Sequence, residues 1–267
     1  MPIVKAGAIN LNYDTFGVGE PLLLIMGFGA PGIAWMPVLP MLSGFKSIYF
    51  DNRGTGNSEK PEGPYTIPDM AEDASNLLAA LGIESAGVYG ISMGGMIAQE
   101  LALRHPEKVS RLVLGCTTIG GPEAVPPSEE TIASLLDAMK SMSTEPERAI
   151  DTLLSVVHPP DFVLAHPEMK QMMLLGMSAI PPTPPEVIER TAEGIRNFDV
   201  HDRVGQIKCP VLIVHGEKDI LIKPANAQLL KSRLPQAELY MIPNAGHNFF
   251  AEDPMGVHQR IVAFLKG

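Results

Sequence analysis

The sequence predicts an α/β fold, a doubly wound and mostly parallel sheet that carries a helical insertion. Continuous apolar runs recur along the chain and end in glycine or polar residues, as in "PLLLIMGFGA" and "CPVLIVHGEKD". Helical stretches lie between these runs, except over residues 121–197, where no strong strand pattern occurs. Continuous apolar strands are typical of a parallel sheet with both faces covered by helices, and alternation of strand and helix builds such a sheet.

The individual elements follow from local patterns. Two short β-like stretches open the chain, and strands follow in "PLLLIMGFGA", "FKSIYFDNRGTG", "AGVYGISMGG", "VSRLVLGCTT" and "CPVLIVHGEKD". The stretch "TIPDMAEDASNLLAALG" predicts a helix with one apolar face. In this helix Thr66 and Asp69 have the spacing of a capping box, and Gly82 is the expected stop. A last helix is predicted over residues 249–266.

The break in the alternation predicts the domain organisation. We expect residues 1–120 and 198–267 to form the α/β core, and residues 121–197 to form a helical cap over the carboxyl ends of the strands. A Pro-rich segment can also be a poorly ordered surface insertion, but the apolar content of this one favours packed helices. Methionine is flexible enough to line an adaptable pocket, although packing between cap helices explains most of these residues equally well. The insertion contains Met139, Met142, Met169, Met172, Met173 and Met177.

Composition excludes several classes of function. The chain has 267 residues, 45% of them hydrophobic, and a formal net charge of −10 without any run of Lys or Arg. Nucleic acid and anionic membranes are therefore not expected as partners. Cys116 and Cys209 lie in apolar, strand-like settings and predict buried thiols rather than a disulfide scaffold. The start "MPIVKAGAIN" has no long apolar segment, so we expect neither a signal peptide nor a membrane span, and a cytoplasmic location. The oligomeric state is left open.

A serine at a strand–helix junction is the first candidate site residue. Gly90-Ile91-Ser92-Met93-Gly94 fits the pattern G-x-S-x-G, with an apolar strand before it and a helix after it. A strand that turns at once into a helix forces an unusual backbone conformation at the serine, and glycine two residues before and after removes side chains that would collide. The turn exposes the Ser92 hydroxyl beside a helix N-terminus, where negative charge is favoured. Ser92 is the predicted nucleophile.

A serine nucleophile needs a base, and that base needs a carboxylate. His247, in "IPNAGHNFFAEDP", follows the last strand and lies on a loop at the same sheet edge as Ser92. Asp219, in "VLIVHGEKDILI", follows a buried strand at that edge; Glu217 is its nearest rival and reads as a solvated turn residue. The order Ser92, Asp219, His247 is the order expected of this architecture.

The tetrahedral intermediate needs two backbone N–H donors. Met93, directly after the nucleophile, is predicted to supply one. Phe28, in "IMGFGA", is predicted to supply the other, with Gly27 giving the loop its freedom, although the same letters also describe a simple Gly-rich turn. No HxHxDH-like cluster occurs, so neither a metal nor a cofactor is expected.

These blocks resemble a known family. "MGFGA", "DNRGTGNSEKP", "GISMGG", "HGEKD" and "GHNFF" are similar to signature blocks of the α/β-hydrolase superfamily, over nearly the whole chain outside the insertion. The resemblance is closest to small bacterial carboxylesterases and enol-lactonases, and a serine nucleophile differs from the aspartate of the dehalogenase and epoxide-hydrolase branches. Such proteins often carry His-Gly where this chain has Met26-Gly27. Asp51 and Arg53 fall in a family loop where structural roles are expected.

The expected function is metal-free serine hydrolysis of a small-molecule ester or lactone through an acyl-enzyme on Ser92. Residues 121–197 carry twelve Asp and Glu residues against five Lys and Arg residues, a balance of −7, which favours neutral substrates with apolar acyl groups. The alternatives on the same triad are hydrolysis of 3-oxoadipate enol-lactone or acyl-homoserine lactones, perhydrolase or haloperoxidase activity, and acyl transfer. A ligand-binding receptor on a hydrolase fold is the alternative without catalysis.

Overall fold

The structure, a computed structural model, describes residues 1–63, 65–177 and 180–267. Eight strands form one sheet in the order β1-β2-β4-β3-β5-β6-β7-β8, in which β1, β2 and β4 pair in antiparallel fashion and all other neighbours are parallel. The strands are β1 (Ile3–Ala6), β2 (Ile9–Phe16), β3 (Glu20–Ile25), β4 (Phe45–Phe50), β5 (Ala86–Ile91), β6 (Val109–Gly115), β7 (Val211–Gly216) and β8 (Glu238–Ile242). The predicted fold class is confirmed.

The strand order changes direction at β3. The chain goes from β3 to β4 on one side, and β5 then pairs with the other side of β3. In doubly wound sheets, ligands bind in the crevice outside the carboxyl ends of the strands at such a switch point. The residues that follow β3 and β5 therefore face a common crevice.

Helices cover both faces of the sheet. They are α1 (Ile67–Ala80), α2 (Met93–Arg104), α3 (Glu129–Ser141), α4 (Pro146–Val157), α5 (Pro160–Ala165), α6 (Glu168–Met177), α7 (Pro185–Arg196), α8 (Ala225–Arg233), α9 (Phe249–Glu252) and α10 (Pro254–Lys266). Successive residues of β3 point to opposite faces of the sheet. Leu23 packs in the apolar cluster under α1 and α2, and Leu24 packs in the apolar cluster that contains Trp35 and Ile261. A continuous apolar strand is thus buried on both faces.

The capping box predicted at the start of α1 is present. The Thr66 hydroxyl accepts a hydrogen bond from the Asp69 backbone N–H at 3.2 Å, and the Asp69 carboxylate accepts from the Thr66 N–H at 3.3 Å. Gly82 follows the helix with φ +67°, a conformation that glycine adopts without a side-chain penalty. The local signals at both ends of this helix are confirmed.

The single helix predicted over residues 249–266 is wrong, because two helices occupy that range. Asp253 separates α9 from α10, with φ −132° and ψ 65°. A residue before proline is disfavoured in the α conformation, and Pro254 begins the new helix at a position where its missing N–H costs nothing. The Asp253 carboxylate accepts from the Gly256 N–H at 3.0 Å and caps α10.

Between β6 and β7 the described part of the chain forms five α-helices, α3 to α7. The two ends of this segment lie side by side, since the Val200 N–H donates to the Ile119 carbonyl at 2.9 Å and Gly120 bridges to Asp199. We therefore propose residues 121–197 as a cap that leaves and re-enters the core at one place.

Both cysteines are free thiols. Cys116 is buried, whereas Cys209 is half-buried and so less enclosed than predicted. None of the helices in the described ranges combines the length and apolar character that a membrane span requires.

We expect Thr66→Ala to lower the free energy of unfolding by about 1 kcal/mol, because the N–H groups of the first turn of α1 lose a capping acceptor. Thr66→Ser keeps the hydroxyl and is the matched control, expected to unfold close to the wild type. Denaturant titration followed by circular dichroism measures both variants. Equal midpoints for the alanine and serine variants would contradict a stabilising capping box.

Candidate active site

Ser92 sits on a sharp turn between β5 and α2. Its backbone has φ 55° and ψ −123°, a conformation that a residue with a side chain rarely adopts. A β-carbon at Gly90 would collide with the carbonyl of Gly94, and one at Gly94 would collide with the carbonyl of Ile25. The two glycines thus allow the backbone of the turn to pass close to itself and to β3. The Ser92 side chain is half-buried at the carboxyl edge of the sheet.

The end of β6 holds this turn in place. The Ser92 N–H donates to the Gly115 carbonyl at 2.8 Å, and the Thr117 hydroxyl donates to the Ser92 carbonyl at 2.8 Å. Thr117 was not among the predicted site residues, because it has no local sequence signal beyond its place after a strand. A strained backbone persists only where its surroundings determine it, and these two bonds do so on both sides of Ser92.

Asp219 and His247 lie in contact, as their positions after β7 and β8 predicted. His247 Nδ1 is 2.8 Å from Asp219 Oδ2, and both side chains are buried. The other carboxylate oxygen, Oδ1, accepts from the backbone N–H groups of Leu221 and Ile222 at 2.8 and 2.9 Å. Backbone donors therefore fix one oxygen of Asp219 and leave the other for the imidazole.

A second histidine contacts the same carboxylate. His215, fully buried at the end of β7, places Nε2 at 2.7 Å from the Ile222 carbonyl and 3.3 Å from Asp219 Oδ2. In the sequence His215 precedes a glycine, a pattern typical of a structural turn, and it was not among the predicted site residues. Its only sequence signal is its place four residues before Asp219. The structure shows that it packs beneath the carboxylate and adds a polar contact to it.

The charges of this cluster shift its titration. Burial disfavours the ionised carboxylate, but the charge of His247 and hydrogen bonds from His215 and His247 outweigh burial and lower the pKa of Asp219. Burial likewise disfavours the imidazolium, but the Asp219 carboxylate outweighs it and raises the pKa of His247. The Cys116 thiol lies beside the His247 imidazole and the Ser92 backbone, and burial raises its pKa, so it is protonated near neutral pH.

The loop after β3 lies over Ser92. A β-carbon at Gly27 would come within 3.1 Å of the Ser92 Cβ, so glycine lets this loop approach Ser92 without displacing it. The Asn52 amide donates to the Met26 carbonyl at 3.0 Å and fixes the start of the loop, where relatives of the predicted type often have a histidine. Phe28 follows, half-buried and packed against the core.

Phe28 and Met93 come from the two sides of the switch point. Met93 is the first residue of α2, and backbone N–H groups in the first turn of a helix have no partner within that helix. Phe28 belongs to the loop that crosses Ser92. On the cap side, the methyl group of Met139 occupies the space that a β-carbon at Gly29 would need, so at least this methionine reaches the crevice. Met172 is largely exposed, and the side chain of Met177 lies outside what the structure describes.

A cavity of about 280 Å³ lies next to His247. Its walls come from the junction of α4 and α5 and from the loop after β7, and they include Val157, Pro159 and Ile220. The wall residues are mostly apolar, and Lys218 contributes an exposed ammonium group. The junction of α4 and α5 thus forms part of the surroundings of the imidazole.

Asp51 and Arg53 have the structural contacts expected of them. Asp51 Oδ1 accepts from the Gly32 N–H at 2.7 Å, and Oδ2 accepts from the Asn12 amide at 2.7 Å. Arg53 makes a bidentate pair with Asp73, at 2.6 and 2.8 Å. Within the residues that the structure describes, His, Cys, Asp and Glu side chains form no group of three or more that could hold a metal ion.

Comparison with known proteins places the chain in a family. The model of the family described as "alpha/beta hydrolase fold" matches residues 20–254. "Putative carbamate hydrolase RutD" of Azorhizobium caulinodans is 28% identical over 267 residues, which cover 99% of this chain and 98% of that protein. "Putative non-heme bromoperoxidase BpoC" of Mycobacterium tuberculosis is 29% identical over 277 residues, with 96% and 98% covered.

A solved structure shows the same architecture over the whole chain. The enol-lactonase from Burkholderia xenovorans LB400 superposes with a TM-score of 0.86 at 26% identity, and the match covers 100% of both chains. The family match spans nearly the entire sequence, including the serine turn, the loop of Asp219 and the loop of His247. The chain belongs to the alpha/beta hydrolase fold family.

Proposed function

We propose that this protein is a serine hydrolase that cleaves carboxylic esters or lactones through an acyl-enzyme on Ser92. The observation that carries the proposal is the 2.8 Å contact between His247 Nδ1 and Asp219 Oδ2, at the same sheet edge as the strained turn of Ser92. A carboxylate on Nδ1 leaves Nε2 free to accept a proton. A serine on a strained turn beside a helix N-terminus is the group that such a base activates.

The proposed reaction has two halves. His247 takes the Ser92 proton while the oxygen attacks the substrate carbonyl, and the N–H groups of Phe28 and Met93 bind the oxyanion. His247 then gives its proton to the leaving alcohol, and water enters by the same route to release the acid. Asp219 holds the imidazole in the tautomer with the proton on Nδ1 and stabilises the imidazolium.

The names of relatives support hydrolysis of esters or lactones, but they do not single out one substrate. One structural neighbour is an enol-lactonase, and two relatives are named as a carbamate hydrolase and a non-heme bromoperoxidase. A serine triad can attack an ester, lactone or carbamate carbonyl by the same steps, and peroxide or an alcohol can replace water in the second half. An ester, lactone and carbamate panel, assayed with and without peroxide, ranks these activities.

We expect a fluorophosphonate to label the wild type once, on the peptide that contains Ser92. Ser92→Ala should take up no label and lose at least about a thousandfold in turnover, because no other hydroxyl occupies the turn. Ser232→Ala, on the exposed surface of α8, is the matched control and should label normally. Intact-protein and peptide mass spectrometry measure the adduct. A wild-type adduct elsewhere, with Ser92→Ala fully active, would refute the nucleophile and the acyl-enzyme.

The pH dependence of kcat/KM follows from the direction in which the pKa of His247 is shifted. The base works only when neutral, and Asp219 raises the pKa of His247, so kcat/KM should rise with pH through an apparent pKa above the ~6.5 of an ordinary histidine. Asp219→Asn removes the charge that raises this pKa and disturbs the tautomer, and should cost about three to four orders of magnitude. A pH profile on a neutral ester measures both. An acidic limb below pH ~6 in the wild type would argue against this base.

Charge on the proposed cap should select against anionic substrates. Residues 121–197 carry a balance of −7, and cations such as Lys140 and Lys170 are paired with Glu189 and Asp151. We expect kcat/KM to be higher for a neutral ester than for its carboxylate-bearing analogue, with a gap that narrows as salt screens the field. A preference for the anionic analogue, strongest at low salt, would instead favour an enol-lactone with an acidic side arm.

A further inference from the structure

A second buried histidine–carboxylate pair lies beside the candidate triad. His158 Nδ1 is 2.6 Å from Glu252 Oε1, and their side chains are 0% and 5% exposed. His158 follows α4, in the proposed cap, whereas Glu252 ends α9, five residues after His247. Burial of a carboxylate costs free energy that only good hydrogen bonds offset.

The pair is hydrogen-bonded to the residues on both sides of His247. Glu252 Oε2 accepts from the Gly246 N–H at 2.6 Å, so this carboxylate holds the residue before the imidazole. On the other side, Asn248 Nδ2 is 3.3 Å from His158 Nε2, and the Asn248 N–H donates to the Val157 carbonyl at 3.0 Å. Each neighbour of His247 is therefore bonded to the pair or to the residue next to it.

These contacts are all satisfied by one tautomer of His158. With its proton on Nδ1, His158 donates to Glu252, and its Nε2 accepts from the Asn248 amide. Both ring nitrogens are then satisfied by side chains that follow His247 in the chain, those of Asn248 and Glu252. Replacing either partner leaves a buried polar atom unpaired, which is the costly case for hydrogen bonds.

The cap packs closely on this loop. A β-carbon at Gly246 would come within 2.8 Å of Pro159 Cδ and 3.1 Å of the Val157 carbonyl oxygen, so the two backbones are in direct contact. The Phe162 ring stacks on His158 with centroids 4.9 Å apart and fixes its plane from the cap side.

We propose that His158 and Glu252 are positioning residues, which clamp the loop of His247 to the cap and hold the imidazole against Asp219. This inference rests on the proposed function for its effect on turnover. Its effect on the imidazole itself does not depend on that function. The groups that face His247 are Asp219 from the loop after β7 and the Cys116 thiol from the loop after β6. Loosening the loop weakens the Asp219 contact, which is the largest of the interactions that raise the pKa of His247.

The test compares substitutions that keep or remove the Nδ1 donor. His158→Asn places an amide N–H near the position of Nδ1 and retains the bond to Glu252. His158→Leu removes both ring nitrogens. His105→Leu is the matched control, because it removes a histidine whose Nε2 lies 3.0 Å from a carboxylate oxygen of Glu72, at the end of α2 remote from Ser92.

We expect His158→Leu to lower kcat on a neutral ester by about ten- to a hundredfold, since small displacements of a catalytic group are costly. Its acidic limb should move to lower pH, and the downfield proton signal of His247 Nδ1–H should broaden or disappear. His158→Asn should retain most of the turnover and the signal, and His105→Leu should match the wild type. Glu252→Ala should behave as His158→Leu.

Thermal unfolding by circular dichroism identifies variants that fail to fold. If His158→Leu fails to fold, His158→Gln replaces it. The glutamine side-chain amide reaches the position of Nε2 and leaves Glu252 without its hydrogen-bond donor. Wild-type kcat, pH limb and Nδ1–H signal in a folded His158→Leu or His158→Gln variant would overturn the clamp. Failure of the proposed function is distinct: wild-type turnover would not depend on Ser92, while the Nδ1–H signal would still respond to His158.

Discussion

The turn at Ser92 is the constraint on which the rest of the site depends. The chain passes from β5 into α2 within one residue, and the backbone at that residue has φ 55°. This conformation requires bare backbone at Gly90 and Gly94, because any side chain there would collide with a neighbouring carbonyl. Gly115 and Thr117 at the end of β6 then bond the N–H and the carbonyl of Ser92, so three adjacent strands share in holding one serine at the switch point of the sheet.

The second constraint is a buried carboxylate. Asp219 is enclosed, and its ionised form is kept by two backbone N–H groups on Oδ1 and by imidazoles on Oδ2. A carboxylate satisfied in this way has little freedom to move. Its hydrogen bond therefore also restricts the orientation of the imidazole. His247 itself lies on a loop, and loops of a scaffold are its more mobile parts. Rigidity at Asp219 alone fixes one end of the imidazole and leaves its backbone to be fixed by other contacts.

The proposed clamp supplies those contacts from the cap. His158 and Glu252 repeat the chemistry of the His247–Asp219 pair, with His158 in the proposed cap and Glu252 five residues after His247. A cap bonded to the loop of His247 in this way does more than cover a crevice. Any movement of α4 or α5 would also displace Gly246 and Asn248. The cavity beside His247 is lined by this same junction and by Gly246, so residues of the proposed cap contact both the cavity and the loop of His247.

The sequence by itself determined the local features: the apolar strands, the capping box of Thr66, the glycines around Ser92, and the loops of Asp219 and His247. Each depends on residues close in the chain, or on the rule that parallel strands end at one edge. Only the tertiary structure decided the contacts across the chain. His158 and Glu252 are 94 residues apart, and no periodic pattern marks which histidine a packed insertion will bring to a distant carboxylate. The contact of Thr117 with Ser92, 25 residues away, could not be predicted for the same reason. The contacts of His215 with Asp219 and Ile222 join residues close in the chain, but they depend on the conformation of the loop after β7, which the sequence pattern does not specify.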